Sequence, residues 1–251
     1  MGRGQRKGVE LNGWLVIHKP TGISSAHAVA VVKRLTRAAK VGHGGTLDPF
    51  SEGVLPMALG RATKRIASVL GGDKAYHCWI RFGWETDSGD PTGQVTEQTE
   101  IVPERAALEA ILPQFTGQQQ QIPPAYSAIH VGGVRAYELA RRGEPVVLEP
   151  RTVQIHSVRL EAYQEGLAEL SVWCGKGTYM RSLARDLGRR LGSLAHLQGL
   201  LRTATLGFSL QDAITLEQLS AAVGEGRLEE LLLPVDRVLD DIPASRPRSM
   251  G

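Results

Sequence analysis

Apolar residues recur along this chain in a few distinct registers, and the registers predict its elements. Gly13-Trp-Leu-Val-Ile17 reads as a buried strand ending at His18-Lys19-Pro20. After the Thr21-Gly22 turn, Ser24 caps a helix whose apolar positions Ala28, Val29, Val32 and Leu35 keep helical spacing. Its other face carries Lys33, Arg34 and Arg37, with Lys40 following. Val54 to Leu59 predicts a second strand, and Thr63 precedes a short helix through Ile66, Val69 and Leu70. Tyr76 to Trp84 alternates with period two: Tyr76, Cys78, Ile80 and Phe82 share one face, His77, Trp79 and Arg81 the other. The turn formers of Thr86–Gly93 then lead into a hairpin partner, Gln94–Thr99. Pro103 starts a helix to Leu112, Gln118–Pro124 reads as a loop, and Tyr126–Val131 as a strand. Gly132-Gly133 turns the chain into a short helix ending in Arg141-Arg142-Gly143, so residues 123–151 read as an excursion from the core. Thr152–Ala162 and Leu167–Cys174 form a hairpin about Glu165-Gly166. Helix Tyr179–Leu191 places Met180, Leu183, Ala184, Leu187 and Leu191 on one stripe, with Arg181, Arg185 and Arg189 alongside. A cation as early as Arg181 opposes the helix dipole and calls for a carboxylate partner. Leu197–Phe208 is strand-like, and Thr215-x-x-Gln218 can form a capping box for a last helix. Hairpins with scattered helices predict an α+β fold with a largely antiparallel sheet.

One stretch stands apart from these registers. Val41 to Gly53 holds four glycines, His43 and Asp48, and then runs into the apolar segment from Val54. Glycine at that density lets backbone approach a ligand closely. Pro49 keeps Asp48 out of the helical region, in a stiffened turn. Two readings of Asp48 remain open on local chemistry: a carboxylate offered to a cleft, or an Asx turn hydrogen-bonded to its own backbone.

Charge narrows the choice of partner. The net charge of the 251 residues is only +3, but it is segregated. Residues 1–70 hold eleven Lys/Arg against three Asp/Glu, and residues 71–130 hold three against eight. Residues 131–202 return to eleven against seven, and residues 203–251 hold four against eight. Two basic blocks separated by an acidic one are compatible with a polyanion partner. Cys78 and Cys174 form no CxxC and predict no disulfide framework, which fits a reducing cytoplasm. No apolar run nears the ~20 residues of a membrane span, and Trp14–Ile17 is too short for a signal peptide. Neither HExxH nor paired Cys/His spacing points to zinc. Gly175-Lys-Gly-Thr178 lacks the phosphate-loop order, position 47 is Leu where a dinucleotide fingerprint needs Gly, and no Gly-x-Ser-x-Gly elbow occurs. No metal or cofactor is expected.

Asn12-Gly-Trp-Leu-Val-Ile-His-Lys-Pro20, Gly42-His-Gly-Gly-Thr-Leu-Asp-Pro49, Tyr76 and Lys176-Gly-Thr-Tyr-Met-Arg181 together resemble the TruB family of tRNA pseudouridine synthases. The resemblance runs in order from about residue 11 to 235. It implies the pseudouridine synthase fold, a mixed, mainly antiparallel sheet flanked by helices, with residues 123–151 as an RNA-gripping insertion. Residues 1–10 would be a flexible basic tail and 236–251 a C-terminal tail. The implied substrate is the T-loop uridine of tRNA that becomes pseudouridine 55, handled by a monomer without an obligate protein partner. By the same resemblance, Asp48 is the carboxylate required for glycosidic cleavage and Arg181 the guanidinium paired with it. Such a contact lowers an aspartate's pKa below its reference of about 3.9. Tyr76 would stack on the target uracil, and Leu200 would close the pocket. His43 would fill the stack vacated by the flipped nucleotide, offsetting part of an unstacking cost of a few kcal/mol. Tyr179 and Asp90 match cleft positions, and Lys19, Lys64, Arg141 and Arg142 are expected phosphate contacts.

Two departures from the family pattern follow. Where a pair of arginines is common after Leu200, position 201 is Leu and only Arg202 remains. Many members also carry a further C-terminal RNA-binding module, which is not expected to be complete here, so tRNA should bind more weakly than to a longer relative. Rival functions are a guide-RNA-dependent pseudouridine synthase, a tRNA-folding chaperone that does not need Asp48, and a glycoside hydrolase using Asp48 with Glu52.

Overall fold

The computed structural model describes residues 8–238. The expected tails therefore fall mostly outside the described residues, at 1–7 and 239–251. The elements run β1 (Gly13–Lys19), α1 (Ser25–Thr36), β2 (Val41–His43), β3 (Glu52–Leu59), α2 (Ile66–Gly71), β4 (Lys74–Phe82), β5 (Trp84–Thr86) and β6 (Val95–Gln98). They continue with α3 (Arg105–Ile111), β7 (Gly117–Gln121), β8 (His130–Val131), β9 (Val134–Arg135), α4 (Ala136–Arg141), β10 (Arg151–Gln164) and β11 (Leu167–Cys174). Last come α5 (Met180–Arg190), β12 (Ala195–Thr205), β13 (Phe208–Ser209) and α6 (Leu216–Gly224). No helix among the described residues is long and apolar enough to cross a membrane. The described residues divide into two compact units, 8–74 with 201–238, and 75–200.

In the first unit, β1 pairs antiparallel with β3 along its whole length, from Gly13↔Leu59 to Lys19↔Gly53. Both strands are buried on both faces, which is why they read as unbroken apolar runs. Leu15, Ile17, Leu55, Met57 and Leu59 pack with Ala28 and Val32 of α1 and Leu219 of α6. Trp14, Val16, Val54 and Ala58 face the other way, onto Val69 and Phe208. The second edge of β3 is shared: β2 pairs with Met57–Leu59, and β12 pairs in parallel at Leu201↔Glu52 and Arg202↔Gly53. Gly53 has φ +105°, and a Cβ there would lie 2.3 Å from the Arg202 carbonyl oxygen, so only glycine lets the two strands meet. The helix caps are as expected. The Ser24 side chain accepts from His27 N, and Thr215 and Gln218 close a capping box.

In the second unit, β11 pairs with β10 and β10 with β7, all antiparallel. Cys78, Ile80, Phe82, Ala168, Leu170, Val172, Val153 and Ile155 are buried, while His77, Trp79, Glu169 and Trp173 are half-buried. The β10–β11 turn has φ of 48° at Glu165 and 75° at Gly166, the left-handed pair a two-residue hairpin requires. Two expectations are corrected here. Gln118–Pro124 is not all loop, because residues through Gln121 form strand β7 against Arg151–Ile155. Its alternate glutamines face solvent, so no apolar period betrays it. Tyr126–Val131 is not a strand either. Only His130–Val131 pairs, with Val134–Arg135, and Tyr126 has another use.

Candidate active site

In the first unit the glycine-rich stretch leaves β2 at His43 and returns as β3 at Glu52. Asp48 is half-buried on the intervening loop. Backbone contacts fix nearly every residue around it. Gly44 N donates to Pro56 O at 2.8 Å, and Gly22 N donates to Pro49 O at 2.7 Å. Ser25 Oγ donates to Leu47 O and accepts from Leu47 N, at 3.0 and 2.8 Å. Ser51 N donates to Asp48 O at 3.1 Å, closing the turn that Pro49 stiffens. Arg202 supplies the rest. Its Nε donates to Val54 O at 2.8 Å, Nη2 to Gly45 O at 3.1 Å and Nη1 to Thr46 O at 3.4 Å.

Lys19 lies fully buried in the same unit, its ammonium donating to Pro20 O and Ile23 O, both at 2.8 Å. A cation in that position is not presented to a phosphate backbone. Burial pulls its pKa from 10.5 down to about 8, against the opposing field of Asp48 and with a smaller push from Arg202. The imidazole of His43 is likewise held toward neutrality by burial, opposed by the Gly45 backbone and reinforced by Arg202. A neutral, flat ring is suited to stacking against a base. Lys64 is exposed on the 3-10 turn Gly60–Arg65.

In the second unit three of the four arginines of α5, Arg181, Arg185 and Arg189, each hold a different segment. Arg189 makes two 3.0 Å bonds to the Glu85 carboxylate on β5. Arg185 Nη2 donates to Ile122 O at 2.9 Å. Arg181, only 6% exposed, pairs with the equally buried Asp90 at 3.4 Å and donates to Ser88 O and Tyr126 O at 3.0 and 2.9 Å. The carboxylate that the helix position called for is thus present in Asp90. Its other oxygen accepts from Ser88 Oγ, Thr92 N and Thr92 Oγ1. Tyr179 caps the helix, and its backbone N–H and C=O both bond the Gln121 amide. The polar strand β7 and Tyr126 are therefore the supports of the Arg181 cluster. The pattern of the sequence did not reveal either, since both act through carbonyl or amide groups.

Tyr76 is half-buried on β4, and Leu200 is 9% exposed on β12. Arg141 and Arg142 are exposed. The Arg141 guanidinium sits 5.4 Å from the Tyr137 ring centroid, and Arg142 faces Glu144 at 3.4 Å and Glu138 at 4.0 Å.

Comparison with known proteins identifies the family. Residues 33–180 match the model of the TruB family pseudouridylate synthase N-terminal domain. Residues 181–240 match the tRNA pseudouridylate synthase B C-terminal domain. The tRNA pseudouridine synthase B of Bradyrhizobium diazoefficiens is 49% identical over 241 residues, covering 94% of this chain and 70% of that protein. The enzyme of the same name from Rhodopseudomonas palustris is 46% identical over 97% of this chain and 68% of its own length. Among solved structures, a Cbf5-Nop10-Gar1 complex matches with a TM-score of 0.71 and 26% identity. That match takes in 90% of this chain and 61% of the solved one.

Proposed function

Because this chain belongs to the TruB family of pseudouridylate synthases, we propose that it isomerises uridine 55 in the T loop of tRNA to pseudouridine. The supporting observation is the 42–49% identity, over at least 94% of the chain, to relatives named tRNA pseudouridine synthase B. The reaction breaks the C1′–N1 bond, turns the base and forms C1′–C5; C5 gives up its proton and the freed N1 takes one up, so the formula is unchanged. It is redox neutral. Asp48 is proposed to drive the cleavage from its backbone-pinned loop, and Arg181 to pair with that carboxylate. A guanidinium held by a buried carboxylate and two carbonyls keeps its fork oriented. Tyr76 is assigned to stack on the uracil, Leu200 to wall the pocket and His43 to occupy the place left by the everted nucleotide. Tyr179 is assigned to the pocket's entrance and Asp90 to orienting Arg181. Lys64, Arg141 and Arg142 are assigned to phosphates, and Lys19 to the support of the Asp48 loop. Residues 123–151 are proposed to grip RNA, residues 11–235 to make up the catalytic domain, and the enzyme to act as a cytoplasmic monomer.

The test is tritium release from tRNA carrying 5-tritiated uridine, with no guide RNA or other protein added. Wild-type protein is expected to release one tritium per T loop. Asp48→Asn is expected to release none while retaining tRNA binding. Release only when guide RNA is supplied would move the assignment to an RNA-guided enzyme. Refolding of tRNA without release would move it to a chaperone.

A further inference from the structure

Arg202 is 1% exposed and is one of the largest fully buried side chains described. Burying a guanidinium carries a desolvation cost that Leu or Met at the same place would not, so its hydrogen bonds matter. Those described above all end on the loop that bears Asp48 or on the strand leaving it: Gly45 O, Thr46 O and Val54 O. Ser25 fixes Leu47, the next residue, and Gly22 fixes Pro49. Gly44, Gly45, Thr46, Leu47 and Pro49 are thus each tied by the backbone to a group outside the loop. Arg202 accounts for Gly45 and Thr46, whose carbonyls it bonds through Nη2 and Nη1. Arginine suits the task because its planar fork carries five N–H donors in fixed directions and can meet three carbonyls at once; an ammonium cannot span them. Gly45 has φ +120°, and a Cβ there would lie 3.3 Å from Arg202 Nη1, so the glycine admits the guanidinium to the loop.

We infer that Arg202 is a positioning residue for the isomerisation: its guanidinium locks the backbone just ahead of Asp48 and so presets the carboxylate. The inference rests on the proposed function. A loop displaced by about 1 Å is enough to cost a reaction on the order of 100-fold while leaving remote binding contacts intact. It therefore predicts a split between chemistry and binding that a merely structural arginine would not produce.

Arg202→Met and Arg202→Lys are compared with wild type in single-turnover tritium release at saturating tRNA, filter binding of tRNA at fixed salt, and hydrogen exchange of the free proteins. For Arg202→Met the release rate is expected to fall on the order of 100-fold, with the tRNA Kd within about 2-fold of wild type. Arg202→Lys keeps the buried charge but not the fork, and should fall between the two. The amides of residues 45–48 should exchange faster in both variants, while those of β1 stay protected. Unchanged release in a folded variant, or a loss of rate matched by an equal loss of affinity, overturns the inference. So does unchanged protection at 45–48, a readout that needs no activity. If Arg202→Met does not fold, Arg202→Lys carries the same outcomes. Wild-type protein that releases no tritium overturns the proposed function instead, and is distinguishable because the exchange result stands apart from it.

Discussion

Arg181 and Asp90 form an ion pair in which Nη1 and Oδ2 lie 3.4 Å apart and each side chain is only 6% exposed. The aspartate is itself held by Ser88 Oγ at 2.8 Å and by Thr92 N at 3.0 Å. A turn of short polar residues therefore ends in a guanidinium at the head of α5.

Removing one member of such a pair costs more than the pair is worth, because the other charge stays buried alone. Asp90→Ala is expected to destabilise the protein by about 3–5 kcal/mol in urea unfolding. Asp90→Asn keeps an acceptor for Thr92 and should cost about 1–3 kcal/mol. In both, release of tritium from tRNA should slow by more than the tRNA Kd weakens, since Arg181 loses its orientation rather than its charge.

The contrast between Asp90 and the helix caps marks what can be read from this sequence. Ser24, the Glu165-Gly166 turn and the Thr215–Gln218 box are local devices, spanning four residues or fewer, and each forms as the pattern predicts. Arg181 was legible as a cation in need of a carboxylate, and the family resemblance pairs it with Asp48; its contact with Asp90 was not legible, since Asp90 sits 91 residues away in a run of turn formers. The uses of Arg202 and Lys19 were hidden for a related reason. Their partners are backbone carbonyls, which carry no residue identity, and Gly45 is 157 positions from Arg202. Strand β7 escaped because its glutamines contribute hydrogen bonds to an antiparallel pairing without an apolar face.

Lys19 makes stability depend on pH in an unusual direction. Its folded pKa of about 8 lies below the unfolded value of 10.5. Between those values the unfolded chain binds the extra proton, so stability rises with pH across that window and is flat in this respect below it. The full effect is at most about 3 kcal/mol, from ~1.4 kcal/mol per pKa unit. Urea titrations at steps from pH 7 to 10 should show a rising component in wild type that is missing in Lys19→Met. A parallel pH dependence in the two proteins would contradict it.

Ser51 is fully buried next to the Asp48 turn, and its hydroxyl has no hydrogen-bond partner among the described residues. A buried, unsatisfied hydroxyl carries a desolvation cost of about 1–3 kcal/mol, and removing it leaves only a small void. Ser51→Ala is therefore expected to raise stability by about 1 kcal/mol, read as a shift in the urea midpoint at constant m-value. A loss of stability would mean that the hydroxyl is bonded in solution.

The exposed cations can be separated by salt dependence. Each phosphate contact released should reduce the slope of log K against log[salt] by about 0.7–0.9. Lys64 is exposed, and Arg141 lies 5.4 Å over the Tyr137 ring, an arrangement that leaves its charge unneutralised. Lys64→Ala and Arg141→Ala should each lower the slope by nearly one such increment. Arg142 differs, because Glu144 at 3.4 Å and Glu138 at 4.0 Å already compete for it. Arg142→Ala should change the slope by less, and Glu144→Gln should tighten tRNA binding by freeing the guanidinium. Filter binding of tRNA from about 50 to 200 mM salt distinguishes these cases. A full increment for Arg142→Ala would mean that the tRNA displaces both glutamates.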